Sequence, residues 1–134
     1  MTFEWKEAYS VGCAEIDAQH KALFQIVGEL HAAMLGGNAK QMLGDILARL
    51  IAYTTRHFAT EERLMQASGY PDYAAHKALH DKLKQQVLNF QKEFTAGRAA
   101  ITVQILQFLM DWLQHHIVGT DKKLGIYLRA KAAA

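Results

Sequence analysis

Apolar residues recur at helical spacing in four successive stretches of this chain, with little of the two-residue alternation of a half-buried strand. The first stripe runs from Asp17 through His20, Phe24, Val27, His31 and Met34, flanked by Leu23 and Leu30, and stops at Gly36-Gly37. The second comprises Leu43, Ile46, Leu50, Tyr53, His57, Glu61 and Leu64, and stops at Ser68-Gly69. The third is Tyr73, His76, His80, Leu83, Val87, Phe90 and Phe94, stopping at Gly97, and the fourth carries Ile105, Leu109, Trp112 and His116. The lone proline, Pro71, falls at the turn between the second and third stretches, where it breaks no helix. The pattern predicts helices over about 17–36, 39–67, 72–96 and 99–118, after an irregular arm over about 1–16. Gly119 and Gly125 weaken helix beyond that point, so a C-terminal tail is expected there. Asp17 or a neighbour, Asn38 and Asp72 are the expected N-caps. Trp5, Tyr9 and Val11 are the residues that would pack the arm onto the bundle. The expected fold is all-α: one domain over residues 1–134, a four-helix bundle joined by short turns and running up, down, up, down.

Several of the stripes change character partway along. The second turns from apolar to polar in its last turns, at His57 and Glu61, and the third begins polar, at His76 and His80. Each pair is spaced i, i+4, which puts both side chains on one helix face about a turn apart. His20 lies at the start of the first helix, and His116 and Asp121 lie at the end of the fourth. Start, end, start, end is one and the same end of an up-down-up-down bundle. All seven groups therefore point to one place, although they are spread widely over the sequence. Taken singly, each has an ordinary reading. His57 with Glu61 is a surface pair worth a few tenths of a kcal/mol, His76 with His80 is a zinc clip or two surface histidines, and His20 is a hydrogen-bonded core residue. Taken together, those readings would bury several polar groups at one end without a common partner, which is costly.

Five imidazoles and two carboxylates are too many for one ion, since a structural zinc takes four ligands and a catalytic zinc three plus water. They suit a pair of ions bridged by carboxylates. Imidazole with carboxylate is compatible with iron, zinc or copper. The donor set differs from ferritin-like di-iron sites, which use mostly Glu and two Glu-x-x-His motifs; this chain has no Glu-x-x-His. Neutral imidazoles leave a more positive site, which favours a mild, reversible redox step over high-valent iron. His31, eleven residues past His20, is about 16 Å away along a helix and is left out. His115 shares its face with Gln104, Phe108 and Asp111, whereas His116 shares one with Ile105, Leu109 and Trp112, so His116 is the inward residue. Asp121, five residues on, would lie about 140° around an ideal helix, and reaches the site only if the last turn is distorted near Gly119.

Composition narrows the class further. With 134 residues, 51% of them hydrophobic, the chain can bury one core and is not disordered. A net charge of +2 gives no reason to expect nucleic acid or an anionic membrane surface. The single cysteine, Cys13, excludes an internal disulfide, and no secretory layout follows Met1, so a cytoplasmic protein is expected. No apolar run approaches the roughly 20 residues of a membrane helix.

The pattern resembles the hemerythrins, in particular their single-domain bacterial form, over nearly the whole chain. The resemblance rests on Asp17-Ala18-Gln19-His20, on the pairs His57-x-x-x-Glu61 and His76-x-x-x-His80, and on the run from Trp112 through His116 to Asp121. It implies a non-haem di-iron centre without haem. His76, His80 and His116 would hold one iron, and His20 and His57 the other. Glu61 and Asp121 would bridge them together with an oxo or hydroxo group from solvent. Dioxygen would bind reversibly at an open position on the His20/His57 iron. Leu23, Phe58, Trp112 and Ile117 match the apolar residues that line the dioxygen pocket of the family; all four also suit plain core packing, and for Leu23 the two readings are about even. Tyr53, one turn before His57, suits either packing or a hydrogen bond near the site.

The expected function is thus dioxygen storage, transfer or sensing by a monomer, with dioxygen as its ligand and an O2-consuming protein as the partner such a role implies. One rival is a di-iron redox enzyme turning over peroxide or nitric oxide, which should show a polar substrate pocket with a positioned acid or base beyond the ligands. Another is a metal-handling or iron-storage protein, which should exchange its ions readily. A structural zinc protein would be colourless.

Overall fold

The computed structural model describes residues 5–37, 39–97 and 102–133. The chain forms a four-helix bundle, made of α1 (Ala14–Leu35), α2 (Ala39–Ser68), α3 (Tyr73–Thr95) and α4 (Thr102–His115). After α4 the helix continues through a π-helical segment, His116–Asp121, into α5 (Lys122–Ala133). Helix α1 packs along α2, α2 along α3, and α4 against α1 and α2. None of the described helices is long and apolar enough to cross a membrane.

The helix ends follow local chemistry. Gly37, Gly69 and Gly97 adopt φ values of 78°, 67° and 88°, the left-handed conformation that closes a helix at little steric cost. At Gly69 the following Tyr70 N–H reaches back to the Met65 carbonyl at 2.9 Å. The N-termini differ from expectation. Helix α1 begins at Ala14, three residues before the expected start, and its N-cap is Cys13, which makes no side-chain cap bond. Asp17 instead sits inside the first turn and accepts hydrogen bonds from the Val11 N–H, at 2.9 Å, and from the Ser10 hydroxyl. A carboxylate there is favoured by the helix dipole and ties the arm to the helix start. Asp72 does occupy the N-cap position of α3 but makes no cap bond; its carboxylate pairs with Lys123 of α5. The expected cap Asn38 and the expected start of the fourth helix near Ala99 lie outside the described residues.

The largest departure is at the C-terminus. The expected tail beyond about residue 118 is helical to Ala133. Gly119 and Gly125 do not end the helix, and packing explains Gly125. A Cβ added there would sit 2.0 Å from the Val11 carbonyl oxygen, so glycine is what lets the arm lie against α5. The arm's Tyr9 stacks on Phe24 with ring centroids 5.3 Å apart.

Two apolar clusters result. The main core runs from Leu30, Leu43, Ile46 and Leu47 to Leu23, Phe58, Leu83, Leu109 and Leu113. A smaller cluster closes the far end with Val11, Ile16, Met65, Tyr70 and Leu124. Each fully buried aliphatic side chain contributes about 1.5–3 kcal/mol. Along every helix the same order repeats: Ile16, His20, Leu23 on α1; Met65, Glu61, His57 and Phe58 read back along α2; Tyr73, His76, His80, Leu83 on α3; and Leu124, Asp121, His116, Leu113 read back along α5 and α4. A polar layer thus lies between two apolar ones.

Candidate metal centre

That layer holds most of the buried polarity. Among the described residues, the buried polar side chains are His20, His57, Glu61, His76, His80, His116, Asp121, Gln19 and Thr54. Thr54 is satisfied by the Leu50 carbonyl at 2.8 Å. The other eight belong to one cluster. Its ligand-type atoms form two groups, Glu61–His76–His80–His116–Asp121 and His20–His57–Glu61–Asp121, each with its atoms within 4.8 Å of one another. The two carboxylates belong to both.

The approach of Asp121 depends on the π-helical segment. An α-helix would place it well off the face of His116, whereas i→i+5 bonding brings residues five apart back into line. The His116 Nε2 consequently lies 2.8 Å from Asp121 Oδ1, and His76 Nε2 lies 3.1 Å from the same oxygen. The other oxygen, Oδ2, faces His20 Nε2 at 2.7 Å and His57 Nε2 at 3.7 Å. Asp121 therefore presents one oxygen to each group. Glu61 Oε1 lies 3.1 Å from His80 Nε2 and 3.2 Å from His57 Nε2, again one residue from each group.

Short as these approaches are, few are aligned as hydrogen bonds. Both oxygens of Glu61, Asp121 Oδ1 and the Nε2 atoms of His57, His76, His80 and His116 are buried with no hydrogen-bond partner. Orphaned buried polar atoms normally cost about 1–3 kcal/mol each. Here their lone pairs converge on shared points between the side chains. Donor atoms each about 2.1 Å from a cation lie about 3 Å apart, which is the spacing seen here. The residues present therefore fit a bound metal by geometry as well as by type.

The electrostatics agree. Burial alone would lower the His57 imidazole, but Asp121 and Glu61 outweigh it and raise it to about 9. His116 is likewise lowered by burial and raised further by Asp121 and Glu61, to about 10. Burial and mutual repulsion push the Glu61 carboxyl up, yet His116, His57 and His76 hold it well below the usual range. Asp121 is also pushed up by burial and held well down by His116, His20 and His57. Two ionised carboxylates buried this deeply require positive charge, supplied either by protons on the imidazoles or by cations.

Outer contacts set the tautomers. The Nδ1 of His57 lies 2.7 Å from Gln19 Oε1, and the Gln19 amide donates to the Thr60 hydroxyl at 3.0 Å. Thr60 in turn donates to the Arg56 carbonyl. The Nδ1 of His80 lies 3.0 Å from the Glu62 carboxylate. An Nδ1–H donated this way leaves Nε2 as the atom that binds a cation once the imidazole is neutral, as metal-bound histidines require. Sequence reasoning did not single out Gln19 or Glu62. Each adjoins a residue it did single out, His20 and Glu61, but a stripe points one position inward and treats its neighbour as surface.

The four apolar residues expected at the pocket are distributed as follows. Phe58 is buried and stacks on His80 with centroids 3.9 Å apart, and its ring is 5.8 Å from that of His57. Trp112 is half-buried and stacks on His116 at 4.5 Å. These two rings meet at 5.9 Å and lie mainly against the three-imidazole group. Leu23 is buried in the main core, and the side chain of Ile117 lies outside the described ones. His115 is exposed, with Nδ1 on the Asp111 carbonyl. Tyr53 is part-buried on the main core and lines a groove between α1 and α2.

Comparison with known proteins agrees with this geometry. The family model of the hemerythrin HHE cation binding domain matches residues 11–126. The bacteriohemerythrin of Methylococcus capsulatus is 44% identical over 85% of this chain and 86% of its own length. That of Stenotrophomonas maltophilia is 32% identical over 94% of this chain and 81% of its own. A hemerythrin-like protein of Naegleria gruberi is 34% identical over 90% and 89% respectively. Among solved structures, a wild-type hemerythrin superposes with a TM-score of 0.84 and 41% identity, covering 92% of this chain and 95% of that one.

Proposed function

Because the chain belongs to the hemerythrin family, we propose that its buried cluster holds two non-haem iron ions and binds dioxygen reversibly, for storage, transfer or sensing. His76, His80 and His116 hold one iron and His20 and His57 the other. Glu61 and Asp121 would serve both, since their oxygens belong to both groups of ligand atoms. The single observation behind this reading is the convergence of orphaned Nε2 and carboxylate atoms into two groups that share both carboxylates. One group has three imidazoles and the other two, so the second is left with room for an exogenous ligand.

Two bound ferrous ions would supply the two-electron chemistry that reversible dioxygen binding requires. The chain's own residues would hold and shield that centre. Gln19 and Glu62 fix the rings of His57 and His80. The negative charge of Glu61 and Asp121 is held inside the bundle, where it offsets the charge of the ions. Phe58, whose ring lies 5.8 Å from that of His57, and the adjoining Trp112 supply apolar surface beside the cluster that keeps water and anions away. In this reading the protein is a carrier and not an enzyme.

The test is an optical spectrum with an iron assay, on protein reduced without oxygen, exposed to air and then purged. Two irons per chain with a visible band that appears in air and leaves on purging is the expected result. A band that never reverses, or steady-state turnover of peroxide or nitric oxide, would replace carriage with redox chemistry. Colourless protein carrying zinc would overturn the iron assignment.

A further inference from the structure

We propose that hydrated metal ions reach the buried cluster through a cavity at the junction of α3, the π-helical segment and α5, with His76 the first ligand they meet. The proposal rests on the metal-binding reading above. The cavity measures about 420 Å³ and is lined by Tyr70, Asp72, His76, Leu79, Gly119 and Thr120, with Lys123 at its rim. Leu79, Gly119 and Lys123 are exposed, so it opens to solvent, while His76, only 2% exposed, forms its inner wall. It is therefore a short path from solvent to a ligand atom.

The chemistry of its walls suits a cation. Asp72 offers a carboxylate, and Tyr70 and Thr120 offer hydroxyl oxygens that can replace water around an ion in transit. His76 shows where water belongs in this layer. Its Nε2 faces Asp121, but its Nδ1 is buried with no partner in the protein. The corresponding atoms of His57 and His80 are tied to Gln19 and Glu62. His20 Nδ1 is also without a partner, but His20 does not line this cavity. A buried N–H beside a cavity that opens to solvent and carries hydroxyl and carboxylate groups is satisfied by water. The other two imidazoles of that group, His80 and His116, are stacked by the Phe58 and Trp112 rings, which favour an apolar gas and repel a hydrated ion. The cavity thus brings oxygen donors to His76, whereas His80 and His116 are covered by aromatic rings.

At the mouth, Lys123 pairs with Asp72 and so joins α5 to the start of α3. The ammonium both neutralises the carboxylate an ion would use and straps the opening. Gly119 leaves the passage clear: an added Cβ would meet nothing within 4 Å, and its φ is not left-handed, so a larger residue fits there without backbone strain.

The test is stopped-flow uptake of cobalt(II) by metal-free protein, read from its visible absorption, with the final metal content measured at equilibrium. Gly119→Leu, which fills the cavity, and Leu79→Trp, which covers its mouth from another helix, should each slow uptake by about tenfold or more, because ions must then wait for local opening. Both should still reach two ions per chain. Lys123→Ala should load faster than the unmodified protein. Ala52→Leu, placed in the groove between α1 and α2, should load at the original rate. Unchanged uptake in both blocking variants, with full final loading, would overturn the port and leave the metal site standing. Failure of the unmodified protein to bind cobalt at all would instead overturn the metal-site reading. Should Gly119→Leu lose its helical circular dichroism, Leu79→Trp alone decides.

Discussion

Replacing Gln19 with Leu should weaken one of the two metal sites and spare the other. The Gln19 side chain is 9% exposed and nearly isosteric with Leu, so little volume is lost. What is lost is the acceptor 2.7 Å from His57 Nδ1. In the variant that N–H is buried without a partner, at a cost of about 1–3 kcal/mol, and the ring is free to rotate or change tautomer. Outer-shell changes of this kind lower metal affinity by about 10- to 100-fold, which corresponds to about 1.4–2.7 kcal/mol. Because Gln19 touches His57 and none of His76, His80 or His116, the loss should fall on the two-imidazole site. Competitive titration of metal-free protein against a chromophoric chelator resolves the two sites as two steps. The expected outcome is one step weakened within that range and the other unchanged. Thr60→Val removes only the next link outward and should weaken the same step by less. Equal weakening of both steps would refute the assignment of His57 to a separate site, and no weakening would refute the orienting role of Gln19.

Glu62→Ala is the mirror experiment: it frees His80 Nδ1 and should weaken the three-imidazole step by a similar 10- to 100-fold factor, about 1.4–2.7 kcal/mol. Asp121→Asn should disturb both steps, because each Asp121 oxygen serves a different group; retention of both ions at native affinity would refute the shared-carboxylate reading. The pH response should have opposite sign with and without metal. In metal-free protein the raised values of His57 and His116, about 9 and about 10 against 6.5 when unfolded, stabilise the fold fully below pH 6.5 and less as pH rises through 9 to 10. Metal-loaded protein should instead lose its ions, and with them stability, as pH falls and protons compete for the imidazoles. Melting temperatures across pH 6 to 10, with and without metal, check both trends. Gly125→Ala should destabilise the protein by about 1–3 kcal/mol, since its Cβ collides with the Val11 carbonyl; urea unfolding gives the value, and an unchanged midpoint would show that the arm can undock freely.

The sequence by itself determined the bundle and which imidazoles gather in the polar layer. Both rest on periodicity, which depends only on the 3.6-residue turn and on short connections: His20, His57, His76, His80 and His116 each sit on an apolar stripe, and alternating helix direction brings them to one end. Three matters were left to tertiary structure. Asp121 is out of phase with His116 by α-helical counting, and it reaches the cluster because the backbone between them is π-helical. Gln19 and Glu62 stand one position off the inward stripes, and they became part of the site only once facing helices supplied Nδ1 atoms within reach. The persistence of helix through Gly125 ran against propensity, because the cost of glycine in a helix, about 1 kcal/mol, is outweighed by docking the arm at Val11 and burying Leu124. Local sequence sets which face of a helix is polar. Contacts between segments distant in sequence decide which polar atoms end up sharing one point in space.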